Sequence, residues 1–458
     1  MTAYDELRRR HLVDAADMAP QHLAVLEEPP ERLAERRRDA LRRLVRVARD
    51  ASPWHRKRLA GLDPAEVTEQ TLAELPVMTK DDLMANFDEI VTDDQLTLDA
   101  VESHLAALTS DAYLFDRYHA CASGGSSGRR GVFVYDWEGW ITVYWSLMRH
   151  PVRALRTDPA LAGVRPRLAL VAAAAPTHMT SAAPQTFDNP QVAVVRVPVT
   201  LPVPEIVARL NAAQPTLLSG YASVLHRLAG EARAGRLRIA PAWVITTSEP
   251  LLPETRAALT DAFAVPVGNW YGTSEAGGNG SPCRYSTHLA DDLMVNELVD
   301  SAGRPVPAGV RSDKVFLTNL YNTALPLIRY ELTDQVTLLD GPCPCGSTHR
   351  RIADPYGRAD DVFAYDGVQV HPHAFRSPLS RRREIVEYQV RQVPRGAVIS
   401  VHASAPFDAP PLAAEVAAEL SRLGVPAPEV SVELVDRIPR PASGKLARFV
   451  RIPDGDRS

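Results

Sequence analysis

The residues best suited to chemistry fall into a few short stretches. Asn269-Trp270-Tyr271-Gly272-Thr273-Ser274-Glu275-Ala276-Gly277-Gly278 puts two aromatic rings, two hydroxyls and one carboxylate beside three glycines. Glycine has no Cβ to keep a ligand away from the backbone. The rings offer flat faces, and Glu275 offers the hard anionic oxygen that Mg²⁺ prefers. The bland alternative is a polar loop after a strand. Upstream, Cys121-Ala122-Ser123-Gly124-Gly125-Ser126-Ser127-Gly128-Arg129-Arg130-Gly131 runs into the apolar Val132-Phe133-Val134-Tyr135. That stretch reads either as a flexible linker or as a phosphate cradle, where backbone N–H groups and serine hydroxyls converge on an anion. It is not a Walker-type loop, because G-x-x-x-x-G-K-[ST] is absent. Downstream lie Asp334, the break at Gly357-Arg358-Ala359-Asp360-Asp361, and the basic loop Arg437-Ile438-Pro439-Arg440-Pro441-Ala442-Ser443-Gly444-Lys445.

Alternating strands and helices must position these stretches. Leu168 to Ala173, Val192 to Val197 and Trp243 to Thr247 have the apolar character of buried strands, with helical patterns at Glu205 to Ala213 and Ala222 to Ala232. Such alternation predicts an α/β architecture with a partly parallel sheet, whose ligands gather at the strand ends. Polar groups fall at successive strand ends: Gly220-Tyr221-Ala222-Ser223, then Thr246-Thr247-Ser248-Glu249-Pro250, then the Trp270 stretch. The first hundred residues read as helical, with an amphipathic helix after Pro30 and a second from Lys80 to Phe87. The Arg36-Arg37-Arg38 cluster reads as a solvated helix face. Trp137 to Arg153 is a further helix, with Trp140, Tyr144, Trp145 and Met148 near one face. Beyond Gly280 the pattern turns to strands, at Asp292 to Val299 and Lys314 to Asn319. The last hundred or so residues combine a helix at Leu412 to Leu423 with a strand at Val430 to Leu434.

At 458 residues the chain exceeds one ordinary core, so two or more domains are expected. Its 45% apolar and 23% charged residues are ordinary soluble composition. A net charge of −5 argues against a nucleic-acid partner, which calls for a basic face. No signal peptide follows the polar N-terminal residues, and no apolar run approaches membrane-spanning length. The expected home is the cytoplasm, with no membrane partner. Four cysteines are too few for a disulfide scaffold in a chain this long.

Taken in order, these stretches resemble the acyl-adenylate-forming enzymes, in particular their phenylacetate–coenzyme A ligase branch. The resemblance covers nearly the whole chain beyond about residue 75. Ser123-Gly124-Gly125-Ser126-Ser127-Gly128-Arg129 resembles the family's phosphate loop, and Tyr271-Gly272-Thr273-Ser274-Glu275 its Tyr-Gly-x-Ser/Thr-Glu motif. Asp334 matches the ribose-binding aspartate, Arg358 the nucleotide arginine, Asp360 the hinge and Lys445 the C-terminal catalytic lysine. Leu325-Pro326-Leu327-Ile328-Arg329-Tyr330 is similar to the phenylacetate branch.

The resemblance implies a large N-terminal domain, residues 1–357, with mixed β-sheets and flanking helices and a helical first part to residue 115. A small mobile α+β domain, residues 358–458, would follow. It also implies two half-reactions. A carboxylate attacks the α-phosphorus of ATP, giving acyl-adenylate and pyrophosphate; coenzyme A then takes the acyl group and releases AMP. The first step joins two anions, so charge must be neutralised and atoms aligned, while no proton needs removing. In those roles the Ser123–Arg129 loop would hold the β- and γ-phosphates, Glu275 would carry Mg²⁺, and Lys445 would place a point charge on the carboxylate and α-phosphate. Tyr271 would stack on adenine, with Ser248, Glu249 and Pro250 bordering the ring. Two departures stand out: Arg129 replaces the usual loop lysine, and Gly124 replaces a usual hydroxyl residue.

Cys283 and His288 form one closely spaced pair, and Cys343-Pro344-Cys345-Gly346 supplies another about sixty residues later. Two such pairs suit a structural Zn²⁺ site with three thiolates and one imidazole, although C-x4-H and C-x-C are not standard finger spacings. Reduced cysteines with a surface histidine are the alternative. Members of the phenylacetate-like branch carry comparable elements, which the resemblance adds in favour of zinc. His349 competes with His288 as fourth ligand, and Cys121 stands apart beside the glycine-rich loop.

The acyl pocket is expected between the helix carrying Tyr144, the Ala173–Thr180 segment with Ala174 and His178, and Trp270. Small alanines beside aromatics suit a flat aryl or arylacetic acid. Two other functions stay open: an adenylating ligase whose acceptor is an amine, a carrier-protein thiol or another small nucleophile, and a non-catalytic nucleotide-binding regulator. Retention of Glu275, Asp334, Arg358 and Lys445 argues against the regulator. Oligomeric state stays open, a dimer being one option.

Overall fold

The computed structural model describes residues 2–123, 130–188, 193–358, 362–370, 372–382, 384–441 and 444–452. Gly124 to Arg129 of the glycine-rich loop and the expected hinge residue Asp360 lie outside the described residues.

Five parallel strands form the central sheet, in the order Ala193–Pro198, Arg167–Ala172, Leu217–Tyr221, Trp243–Thr247, Val267–Asn269. The second and third strands are separated in the chain by the first, so the order reverses there, and the crevice at such a reversal is where α/β sheets bind ligands. Helices Val203–Ala213, Ala222–Arg233 and Pro253–Phe263 connect the strands. Leu170, Val171, Leu218, Val244, Leu225 and Leu259 fill one core between sheet and helices.

After Val267–Asn269 the chain switches to antiparallel pairing. A five-stranded sheet runs Leu338–Leu339, Arg351–Ile352, Thr287–Leu289, Gly277–Pro282, Tyr271–Thr273. A three-stranded sheet joins Met294–Val299, Lys314–Asn319 and Tyr330–Leu332. The C-terminal region folds around its own core, built by Phe363, Phe375, Tyr388, Val390, Ile399, Leu412 and Val416. Its sheet runs Glu429–Leu434, Gly396–Ala403, Ile385–Val393, Phe449–Val450, with helices His373–Ser380 and Ala409–Arg422. The architecture is therefore a large mixed α/β domain with several sheets and flanking helices plus a smaller C-terminal α/β region, as expected. No helix among the described residues is long and apolar enough to cross a membrane.

The N-terminal helices match the expectation in kind, with two differences. Helix Ala3–Ala24 has no strong apolar stripe; a Thr2–Asp5 capping box starts it, and Trp145 Nε1 donates to its Ala15 carbonyl at 2.8 Å. The stretch from Lys80 to Phe87 is not one helix but two, Lys80–Ala85 and Phe87–Ile90. Asn86 breaks the run: it leaves the helical conformation, and its side-chain amide donates to the Asp82 carbonyl at 2.8 Å.

Helix Trp137–Thr157 runs through the large domain. Asp136 caps its start by accepting from Gly139 N at 2.8 Å. Arg149 on this helix is fully buried and binds Asp292 through two parallel bonds of 2.8 and 2.7 Å. Breaking a buried pair strands the surviving charge, which costs about 3–5 kcal/mol, whereas an exposed pair contributes under about 1 kcal/mol. Asp292→Ala should therefore lower the urea-unfolding free energy by about 3–5 kcal/mol. Lys57→Ala, at the exposed Lys57–Glu89 pair, is the control and should change it by less than about 1 kcal/mol. Equal effects of the two changes would contradict this account.

Candidate active site and metal centre

The Tyr271–Glu275 stretch is a β-hairpin rather than a loop. Tyr271–Thr273 pairs antiparallel with Gly277–Pro282, and Ser274, Glu275 and Ala276 form the connection. Three side chains hold three consecutive carbonyls there. Tyr135 Oη donates to Ser274 at 2.7 Å, Asn319 Nδ2 to Glu275 at 3.1 Å, and Tyr321 Oη to Ala276 at 2.9 Å. These anchors had no signal in the sequence, because each comes from a distant strand or its end. The backbone of buried Glu275 is thus fixed before any ligand arrives. Burial, and after it the Glu275 charge, pushes the Cys121 thiol well above its ordinary pKa, so Cys121 stays protonated.

Cys121 belongs to strand His119–Ala122, paired with Val132–Tyr135, and the glycine-rich stretch connects the two. Ser123 closes the base of that connection. Its N–H donates to the Gly131 carbonyl at 2.9 Å, and its hydroxyl accepts from Gly131 N at 2.8 Å. Ala122 N donates to the Thr177 carbonyl at 3.0 Å, which brings in the segment carrying Ala174 and His178. Ala174 is exposed and His178 partly buried. Burial first, and then the nearby charge of Lys445, lowers the His178 pKa. Lys445, from the far end of the chain, thus comes near His178. Its neighbour Gly444 has φ +68°, and a Cβ there would lie 2.1 Å from Val199 Cγ1, so only glycine fits that approach.

Asp334 and Arg358 face each other across a two-residue antiparallel ladder, Asp334–Gln335 against Gly357–Arg358. Ser248 ends strand Trp243–Thr247 with φ +65°, its Oγ 3.4 Å from the hydroxyls of Thr180 and Thr247. The Glu249 carboxylate accepts from Ser223 N at 2.9 Å and from Leu446 N at 2.7 Å. Tyr144 stacks on Phe187 with centroids 4.8 Å apart. Trp140 and Trp145 are buried in the core, and Trp270 packs with Trp243 and Leu155, its Nε1 donating to the Leu147 carbonyl at 3.0 Å. Tyr271 is 5% exposed and lies in the main core.

The two Cys/His pairs converge. One ligand atom each from Cys283, His288, Cys343 and Cys345 lies within 4.8 Å of all the others. Tetrahedral Zn–S bonds of about 2.3 Å place sulfurs about 3.8 Å apart, so the cluster has the size of a zinc site. His288 Nδ1 bonds the His349 carbonyl at 3.0 Å, which turns Nε2 toward Cys345 Sγ at 3.3 Å. His349 Nδ1 faces the Leu289 carbonyl at 3.1 Å, so His288 rather than His349 joins the cluster. The Cys345 pKa is pulled well below the ordinary thiol value, first by a hydrogen bond from the Cys283 thiol and then by His288. A thiolate is the form that ligates metal.

No family model matches the chain. The phenylacetate–coenzyme A ligase of Thermus thermophilus is 28% identical over 397 residues, spanning 83% of each chain. The phenylacetate–coenzyme A ligase of Escherichia coli is 30% identical over 152 residues, about a third of each chain. The crystal structure of 2-hydroxyisobutyryl-CoA ligase in its postadenylation state, with R3-HIB-AMP, matches with a TM-score of 0.70 at 20% identity, over 95% of this chain and 92% of that one.

Gly278 sits where the hairpin presses on helix Trp137–Thr157. A Cβ there would lie 2.7 Å from the Ser146 carbonyl carbon and 2.8 Å from Leu147 N, both backbone atoms. Gly278→Ala should cost about 1–3 kcal/mol, read as a lower melting temperature. An unchanged melting temperature would show that the helix can yield.

Proposed function

The chain belongs to the acyl-adenylate-forming ligase superfamily, close to its phenylacetate–coenzyme A ligase-like members; from that premise we propose that it activates an aryl or arylacetic acid with ATP and passes the acyl group to coenzyme A. One set of contacts supports this reading: the strand leading into the glycine-rich loop touches the Glu275 turn, through Cys121 Sγ 3.9 Å from the Ser274 carbonyl, and the segment before His178, through Ala122 N on the Thr177 carbonyl at 3.0 Å, while the charge of Lys445 is felt at His178; we take these parts as the walls of one cleft. ATP would lie across that cleft. Backbone N–H groups of the Ser123–Arg129 loop receive its outer phosphates, Asp334 accepts from the ribose hydroxyls, and Tyr271 faces adenine. Arg358, opposite Asp334, adds positive charge toward the ribose or phosphates. Mg²⁺, when bound at Glu275, would neutralise phosphate charge. Lys445 places its ammonium between carboxylate and α-phosphate, lowering the repulsion that separates the two anions. Acid and acceptor are inferred from the phenylacetate–coenzyme A ligases among the relatives, with Ala174, Tyr144 and His178 read as residues of the acyl pocket.

We place the domain boundary at 357/358, with Asp360 as the hinge that lets the C-terminal region turn between the two half-reactions. ATP–pyrophosphate exchange with a panel of aromatic and aliphatic acids should show turnover with at least one, and added coenzyme A should yield the acyl thioester by mass. Failure of exchange with every acid would overturn the proposal, and an acylated amine in place of the thioester would move it to the other acceptor class. Lys445→Ala should lower exchange by about 10²–10³-fold yet leave thiolysis of supplied acyl-adenylate within a few-fold. Equal loss in both half-reactions would remove Lys445 from that role.

We further infer that Cys283, His288, Cys343 and Cys345 hold a structural Zn²⁺. The supports are the size of the cluster and the orientation of His288. Purified protein should carry one zinc per chain by elemental analysis, and Cys343→Ser should lose the metal and lower the melting temperature. Stoichiometric metal absent from the wild type would end this inference.

A further inference from the structure

Lys445 is a long side chain on a connecting segment, and a point charge acts in a reaction only if its backbone is held. The two peptide groups flanking it are both gripped, by two different residues. The Gly444 carbonyl accepts from Arg440 Nη1 at 2.8 Å. The Leu446 N–H donates to Glu249 Oε1 at 2.7 Å. Glu249 belongs to the large domain, at the end of strand Trp243–Thr247, and its other oxygen accepts from Ser223 N at 2.9 Å, at the start of helix Ala222–Arg233. Arg440 reaches the same helix, its Nη1 and Nη2 lying 3.2 and 3.1 Å from Ser223 Oγ. Arg440 also bonds Glu387, whose second oxygen stands 3.7 Å from Arg227 Nη1. Nη1 of Arg440 and Oε1 of Glu249 are 3.7 Å apart. The side chains of Glu387, Glu249 and Arg440 keep only 1%, 8% and 12% of their exposure, so these charges are shielded from water.

Resting on the activity proposed above, we propose that Glu249 and Arg440 are positioning residues that form a latch between the two domains and fix Lys445 for the acid-activating step. Glu249 then serves the lysine rather than the adenine ring. The latch closes only while the C-terminal region lies against helix Ala222–Arg233. Turning that region away parts Glu249 from Leu446 and Arg440 from Ser223, so the latch contributes to the first half-reaction and not to the second.

The test uses the full chain with Arg440→Met and Glu249→Gln, which keep side-chain volume and remove charge. Each variant should lower kcat for ATP–pyrophosphate exchange by about 10–100-fold, with KM for ATP within about twofold of wild type. Thiolysis of supplied acyl-adenylate should stay within about threefold. The double variant should be no worse than about the weaker single one, because either loss already frees the lysine. Should either protein fail to fold, Ser223→Ala removes only a hydroxyl from the contact and should give a smaller effect with the same split. A rise in KM for ATP with kcat unchanged in Glu249→Gln would return Glu249 to the adenine site and overturn the latch. Equal loss in both half-reactions would overturn it too. Wild-type protein without exchange activity would instead overturn the proposed function itself, so the two failures are distinguishable.

Discussion

The contact between the glycine-rich strand Gly277–Pro282 and helix Trp137–Thr157 is the constraint on which the rest depends. The Gly278 backbone lies against the Ser146 and Leu147 backbone with no room for a side chain between, and Gly278 N donates to Ser146 Oγ at 2.9 Å. Residues 146, 147, 149, 150 and 153 lie within two turns of that helix and face the antiparallel sheets. Ser146 takes the hairpin, and Leu147 takes Trp270 and Ser281. Arg149 takes Asp292, His150 stacks on His288 with centroids 4.7 Å apart, and Arg153 donates to the Cys345 carbonyl at 2.6 Å. One helix face thus sets the hairpin that carries Glu275 and the cluster of cysteines together. A shift of this helix would be felt at both places.

Around that spine the cleft is assembled from parts that are rigid for different reasons. The Glu275 turn is held through its three carbonyls. The base of the glycine-rich stretch is held by a reciprocal Ser123–Gly131 pair. The backbones of Asp334 and Arg358 are paired in register. Lys445 differs in being held through the backbone on either side of it, at the Gly444 carbonyl and the Leu446 N–H.

Much of this was legible in the sequence where local rules decide. The strands Arg167–Ala172 and Trp243–Thr247 and helices Trp137–Thr157 and Ala222–Arg233 lie within a few residues of their apolar patterns. The two Cys/His pairs were visible as candidate ligands, with the resemblance adding weight, while the choice of His288 over His349 needed the structure. Strand Gly277–Pro282 escaped because its buried residues are mostly glycine and polar groups, chosen for close approach rather than for strand propensity. Helix Ala3–Ala24 fell within the expected helical region, but its bounds were not legible because its buried side includes His11 and His22 rather than an aliphatic stripe. The employment of Glu249 and Trp270 was hidden for another reason: their partners, Leu446 and Leu147, are far away in the chain and offer backbone atoms, which carry no residue signature.

Pro151 lies inside helix Trp137–Thr157, where proline ordinarily counts as a defect worth about 3 kcal/mol. A proline has no N–H to give to the carbonyl four residues earlier, and here that carbonyl belongs to Leu147. It accepts instead from Trp270 Nε1 at 3.0 Å and from Ser281 Oγ at 2.7 Å. The vacancy in the helix ladder is therefore a socket for the neighbouring sheet. Local helix strength and cohesion between layers are opposed at this point: a residue that repaired the helix would compete for the oxygen on which the sheet is hung.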